Sequence, residues 1–322
     1  MELFTPVTSA DAQHPNFKRV MQSPASHRRV IESWAEGFID RDGNGKFVNE
    51  FQTRFNPCFW ELYVFACLKE LKMPVDFKFA SPDFVITDSS CPCCIECVVA
   101  ENATGQRPEH DVTIMDRLQN PEGPRREDVA HEASLRIANS LKSKCDHYKS
   151  HYGLWDHVAH RPFVLAVAPF EQPHFSIQRR DGIMNVLYAA KLDQVCKPNG
   201  TIIPLGFFLD DRMAEISAVM FSNVATYGKV VALAKDVDSI GGFFTARHGH
   251  KELNSCSLED YAETLLDGLF IFHNPYARYP LETQTFKEYG VAQLYNDGDR
   301  FVADVPHGYL LERSCISFNP KR

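Results

Sequence analysis

Asn56-Pro57-Cys58-Phe59-Trp60-Glu61-Leu62-Tyr63-Val64-Phe65-Ala66-Cys67-Leu68-Lys69-Glu70-Leu71, then Ser81-Pro82-Asp83-Phe84-Val85-Ile86, then Cys94-Ile95-Glu96-Cys97-Val98-Val99-Ala100, set one helix-like run ahead of two strand-like runs. Each run carries one acid where the local pattern asks for a buried residue. Glu61 stands among Phe59, Trp60, Tyr63, Val64 and Phe65, so no helical face around it is clearly polar. Glu96 is flanked by Ile95 and Val98 in a run that reads as a core strand. A buried carboxylate is costly unless it is paired, hydrogen-bonded or bound to a cation. Three such acids between residues 61 and 96 point first to a divalent-metal site.

Outward from this stretch, a helix is expected near Arg28 to Phe38, a loop at Asp40-Arg41-Asp42-Gly43-Asn44-Gly45, and the apolar helix over 57–72. Short apolar runs at 75–79, 83–87 and 94–100 read as strands, with a turn at Asp88-Ser89-Ser90-Cys91-Pro92. Residues 102–127 form a long loop rich in Pro, Gly, Asn and charge. A second helix is expected from Glu127 to Ser150, with Leu135, Ile137, Ala138, Leu141 and Cys145 as its apolar positions. A core strand follows at Phe163 to Ala168, then a helix near Arg180 to Leu192 and strands near Ile202 to Phe208 and Ile216 to Phe221. A helix at 257–268 and strand-like pieces ending at Gly308 to Phe318 complete the chain. Helices alternating with buried strands indicate an α/β architecture with a mixed sheet.

The chain has 322 residues, of which 44% are hydrophobic and 24% charged, so it can bury a substantial core. Mean hydropathy is −0.28 and no apolar run is long enough to cross a bilayer. The start Met1-Glu2-Leu3-Phe4-Thr5-Pro6 lacks the basic and apolar parts of a signal peptide, which favours a cytoplasmic protein. The ten cysteines are therefore expected to be reduced thiols. A net charge of −8 argues against non-specific polyanion binding as the main activity, while leaving room for a local basic groove.

The order helix-with-Glu, Pro-Asp, strand-with-Glu resembles the PD-(D/E)XK nuclease superfamily, with Pro82-Asp83 as the first element, Glu96 as the second and Glu61 as the helical acid. The resemblance covers residues 46–170. It implies a restriction-endonuclease-like mixed central sheet flanked by helices, and hydrolysis of DNA phosphodiester bonds with Mg²⁺ or Mn²⁺. On that basis the chain divides into a peripheral segment 1–45, a nuclease-like core 46–230 and a mixed α/β C-terminal extension 231–322.

Within the resemblance, Asp83 and Glu96 supply metal ligands, the Cys97 carbonyl a third, and Glu61 holds a metal-bound water or a second ion. Mg²⁺ suits this set because it takes few protein ligands, mostly carboxylates. The family's lysine belongs two residues after the second acid, where this chain has Val98. Lys144 or Lys142, on the following helix, would replace it. Lys144 is preferred because the Leu141–Cys145 apolar stripe sets it near the inner face. Glu101 and Asn102 would add polar contacts, and Arg125 and Arg126 in the long loop would reach a phosphate backbone. A homodimer, a larger assembly or an accessory DNA-binding partner fits such a protein. Loss of the motif lysine also suggests an alternative, a catalytically degenerate nuclease-fold binding or scaffold subunit. A third possibility is another hydrolase using the same acids on a non-nucleic substrate.

Other motifs carry less. Asp40-x-Asp42-x-Asn44-Gly45 matches half of a calcium loop, but Phe51 stands where the bidentate Glu belongs, so a polar turn is expected. Cys91, Cys93, Cys94 and Cys97 hint at zinc, yet strand alternation sends Cys94 and Cys97 to opposite faces. His248-Gly249-His250 with Cys256 reads as a solvated loop. There is no G-x-S-x-G, Walker A or dinucleotide glycine motif, and His131-Glu132 lacks the second histidine of HExxH.

Overall fold

The computed structural model describes residues 1–87, 90–103, 105–112, 116, 119, 123–235, 239–297 and 300–318. Its helices are α1 (Pro15–Met21), α2 (Ala25–Trp34), α3 (Lys46–Thr53), α4 (Phe55–Glu70), α5 (Arg126–Ser150), α6 (Asp181–Tyr188), α7 (Tyr227–Ala234) and α8 (Gln284–Glu288). Its strands are β1 (Phe84–Ile86), β2 (Cys93–Val99), β3 (Phe163–Ala168), β4 (Gln194–Cys196), β5 (Ile202–Pro204), β6 (Ala218–Phe221), β7 (Ile240–Arg247), β8 (Asn254–Ser257), β9 (Phe270–His273), β10 (Ala292–Asp297), β11 (Arg300–Asp304) and β12 (Leu310–Phe318).

The protein is α/β. A seven-stranded mixed sheet runs β1-β2-β3-β6-β9-β10-β11, and a three-stranded antiparallel sheet runs β12-β7-β8. In the large sheet β2, β3 and β6 are parallel, β9 reverses against β6, and β10 is parallel to β9. The central strand β3 is covered on both faces and apolar throughout, with Phe163–Ala168 buried at every position. Alternation divides the strands between two cores. Ile95, Val164, Ala166 and Met220 face α4, while Cys94, Leu165, Val167 and Val219 face α5 and α6.

The α4 sequence is apolar in every helical direction, so it can only be a core helix. Its indole Trp60 Nε1 donates to the Ala166 carbonyl at 2.9 Å, fastening α4 to β3. Leu3, Phe17 and Ile31 are fully buried in the same core, so segment 1–45 is part of it and not a peripheral addition. The tail is integral as well, because β9, β10 and β11 lie in the large sheet beyond residue 230. Among the described residues, no helix is long and apolar enough to cross a membrane.

Several expected elements are shorter or different. The run 75–79 gives one isolated bridge, Val75 to Ile86, and the strand near 202 ends at Pro204. Asp88 and Ser89 of the expected turn, and Thr104, 113–115, 117, 118 and 120–122 of the long loop, lie outside the described residues. The helix expected at 257–268 is absent. There Asp267 Oδ2 accepts from the Thr264 amide at 3.0 Å and the Ser257 hydroxyl accepts from the Asp260 amide at 3.1 Å. Such side-chain bonds offer the backbone an alternative to helical ones.

That segment is fixed by a buried ionic cluster. Lys229 of α7 pairs with Glu263 at 2.9 Å and donates to the carbonyls of Thr264 at 2.9 Å and Asp267 at 2.7 Å. Arg313 of β12 pairs with the same carboxylate and donates to the Val224 carbonyl, while the Tyr261 hydroxyl donates to Glu263 Oε2. Burial opposes ionisation of Glu263, but Lys229 and Arg313 outweigh it and hold the carboxyl below its usual value. Replacing Glu263 by Gln leaves two buried cations without a counter-charge. We expect Glu263→Gln to lose about 3–5 kcal/mol of unfolding free energy in urea titration. A loss below about 1 kcal/mol would contradict a structural role for this cluster.

Candidate functional site

The pairing register brings the two strand acids together. β1 meets β2 antiparallel with Phe84 opposite Ile95 and Val85 opposite Cys94. One step further places Asp83 opposite Glu96. Phe84 and Ile95 belong to the α4 core and Val85 and Cys94 to the α5 core, so alternation turns Asp83 and Glu96 toward α5. Val98 is on the Glu96 face and packs with the α5 core. Asp83 Oδ2 accepts the Cys97 amide at 2.7 Å, which closes the β1–β2 ladder with a side chain. Beyond this point no strand among the described residues pairs with that edge of β2.

Two cations serve the three acids. Lys144 on α5 places its ammonium 2.6 Å from Glu96 Oε1, and the Tyr152 hydroxyl donates to the same oxygen at 3.3 Å. Arg41 Nη2 lies 3.3 Å from Glu61 Oε1 and 3.9 Å from Asp83 Oδ1. Its Nη1 donates to the carbonyls of Asp83 and, at 3.2 Å, Pro82. Arg41 thereby ties α4 to the segment that carries Asp83. With all three carboxyls ionised, one excess negative charge would remain, three carboxylates against two cations.

The electrostatics reflect this deficit. Burial, reinforced by Asp83, raises the Glu61 carboxyl well above its ordinary value. Burial and then the Glu96 charge push Asp83 up to about 7, against the opposing pull of the Cys97 amide and Arg41. Burial works against the Lys144 charge, but Glu96 outweighs it and holds the ammonium above its usual value. The Cys97 thiol is raised well above its ordinary value by burial and by Asp83, so this residue can contribute only its carbonyl.

A cleft of about 340 Å³ opens beside the Glu96–Lys144 pair. One wall is the free edge of β2 with Val98, Val99, Glu101 and Asn102, and the other is Arg136, Asn139, Ser140, Ser143 and Lys144 of α5. The helical residues recur at intervals of three and four, a single polar stripe along α5. This stripe and Arg41 were missed in the sequence. The stripe reads as an ordinary solvated helix face, and Arg41 lies in a loop that has the composition of a turn.

The other sequence-derived residues have different positions. Asn102 lines the cleft and donates to the Arg107 carbonyl at 2.7 Å. Lys142 is exposed and pairs with Asp146 at 3.1 Å. Arg125 pairs with Asp128 at 2.9 Å and Arg126 with Asp181 at 2.8 Å. Arg126 precedes Lys144 on α5 by roughly 27 Å of helix at about 1.5 Å per residue, so neither arginine meets the carboxylates. In the calcium-like loop, Asp40 Oδ2 accepts the Phe47 amide at 3.2 Å and Asp42 pairs with Lys46. Cys94 and Cys97 pack in opposite cores, and the described cysteines lie outside any disulfide.

Among the described residues, no three His, Cys, Asp or Glu side chains converge closely enough to hold a metal by themselves. Asp83 and Glu96, adjacent across β1 and β2, are the carboxylates that could hold an ion that keeps most of its waters. Compared with family models, curated proteins and solved structures, the chain gives no match.

The raised Asp83 carboxyl makes a stability prediction. A folded-state value of about 7 against the ordinary 3.8 means that the folded protein keeps a proton the unfolded chain releases. Ionising Asp83 therefore costs stability progressively between pH 4 and 7, and the full cost persists above 7. In EDTA, Asp83→Asn should raise Tm by about 2–4 °C at pH 8 and leave it unchanged at pH 4. An equal or lower Tm at pH 8 would overturn this assignment.

Proposed function

We propose that this protein is a metal-dependent nuclease of restriction-endonuclease-like fold that hydrolyses DNA phosphodiester bonds. The observation that carries the reading is Lys144, whose ammonium lies 2.6 Å from Glu96 Oε1 on the strand face that Val98 shares. The resemblance to the PD-(D/E)XK superfamily lacks only the motif lysine, and α5 brings a lysine to the acid from outside the strand. The opposition of Asp83 and Glu96 and the nearby helical Glu61 support the same reading.

Asp83, Glu96 and the Cys97 carbonyl are the groups that would hold Mg²⁺ or Mn²⁺. When bound, such an ion supplies charge stabilisation for the phosphoryl group and lowers the pKa of an attacking water. Lys144 keeps a full positive charge at the acid pair and so offsets the negative charge that develops during displacement. The Tyr152 hydroxyl donates to the same Glu96 oxygen and so helps to restrain its rotamer. Arg41 holds Glu61 and the Asp83 backbone in place. The polar stripe of α5 offers amide, hydroxyl and guanidinium donors for a substrate backbone.

A second reading, a nuclease-fold binding subunit without catalysis, is favoured by Arg41, which already engages Glu61 and approaches Asp83. Cleavage assays separate the two. With Mn²⁺ or Mg²⁺, wild-type protein should cut DNA, Asp83→Ala and Glu96→Ala should abolish cutting, and Lys144→Ala should slow it about 10²–10³-fold. Wild-type protein that cuts no single-stranded, duplex or RNA substrate while binding one of them would support the second reading. Cleavage of a simple phosphodiester without DNA cleavage would overturn the DNA assignment.

A further inference from the structure

We infer that a row of aromatic rings beside the acid pair is a stacking platform for an unpaired base, so the strand handled at this site is single-stranded. The inference deepens the nuclease reading and rests on it for the role of the bound strand. The platform consists of Trp155, His157 and Phe79. The Phe79 and His157 rings lie 4.0 Å apart at 7°, and Trp155 continues the row 5.4 Å from His157 at 22°. Trp155 is 37% exposed and the neighbouring Leu154 is 73% exposed. Together they line an open concavity of about 890 Å³ that also includes Lys78 and Asp156.

Leaving a tryptophan and a leucine in water is unfavourable, and the near-parallel rings limit what would cover them. A flat aromatic partner extends such a row face to face, whereas an aliphatic partner gains nothing from the alignment. Every nucleobase has a flat face, and stacking on aromatic side chains is how single strands are held independently of sequence. In a duplex the bases already stack on each other and their faces are closed. Lys78, with its side chain 83% exposed and Asp76 3.9 Å away, adds a cation for the backbone beside the rings.

Direct contacts join the platform to the acid pair. His157 Nε2 bonds the Ser81 carbonyl at 2.8 Å, two residues before Asp83. Tyr152, whose hydroxyl donates to Glu96, packs its ring 5.0 Å from Trp155. A base on Trp155 therefore belongs to a nucleotide close to the one whose phosphate meets Asp83 and Glu96.

Tryptophan fluorescence reads this directly, because Trp34 and Trp60 are 4% and 0% exposed and only Trp155 is open to a ligand. In EDTA, where no cutting occurs, an oligothymidylate should quench the emission and bind about tenfold tighter than the matching oligo(dA)·oligo(dT) duplex. Trp155→Ala should weaken binding of the single strand about tenfold, and Trp155→Phe should restore it. Equal affinity for both forms, or unchanged binding by Trp155→Ala, would overturn the platform. Assays with Mn²⁺ keep the two readings apart. Duplex cutting that is indifferent to Trp155 removes the platform and leaves the nuclease, whereas Trp155-dependent binding without any cutting keeps the platform and removes the nuclease.

Discussion

Asp83 and Glu96 face each other across two antiparallel strands, where like charges repel and a sheet normally avoids them. With Glu61 behind them, the arrangement gathers three carboxylates at the edge of an otherwise apolar core. Lys144 arrives from α5, Arg41 from the loop before α3, and the Cys97 amide turns aside from the ladder to bond Asp83. These contacts reduce the repulsion without cancelling it, and with burial as the larger cause Asp83 and Glu61 remain raised. A residual negative charge in a partly water-accessible place is what a divalent ion complements.

The fold holds these groups where they would not gather unaided. α4 is buried on all sides and fixed to β3 through Trp60, so Glu61 has little freedom. α5 runs along the opposite face of the sheet, its apolar positions packed on β2 and β3 while its polar stripe borders the cleft. Because β1 is short, β2 keeps a free edge there, and an edge covered only by a helix is a natural place for an extended ligand. The Lys229–Glu263–Arg313 cluster acts at a distance, fastening the second sheet to the first.

Much of this was legible in particular residues. The all-round apolar run at Phe55–Leu68 fixed a core helix, and the isolated acids in it and in Cys94–Val99 stood out because burial makes them costly. The position of Lys144 followed from the Leu141–Cys145 stripe, since helical geometry is regular enough to place a neighbour. Long-range placement was not legible. Arg41 meets Glu61 only because the loop folds back over α4, and no local pattern encodes that return. The 257–268 segment is helix-like in sequence, but its Ser, Thr and Asp side chains capture the backbone and Lys229 takes the carbonyls of Thr264 and Asp267. Trp155 and Phe79, 76 residues apart in the chain, align only through the tertiary fold.

On the proposed reading, Asp83 and Glu96 form one cation site. Crystals grown with Mn²⁺ and measured at its absorption edge test it most directly. An anomalous peak is expected between the two carboxylates. A map without that peak, with Glu96 still held by Lys144 and Asp83 by the Cys97 amide, would contradict it.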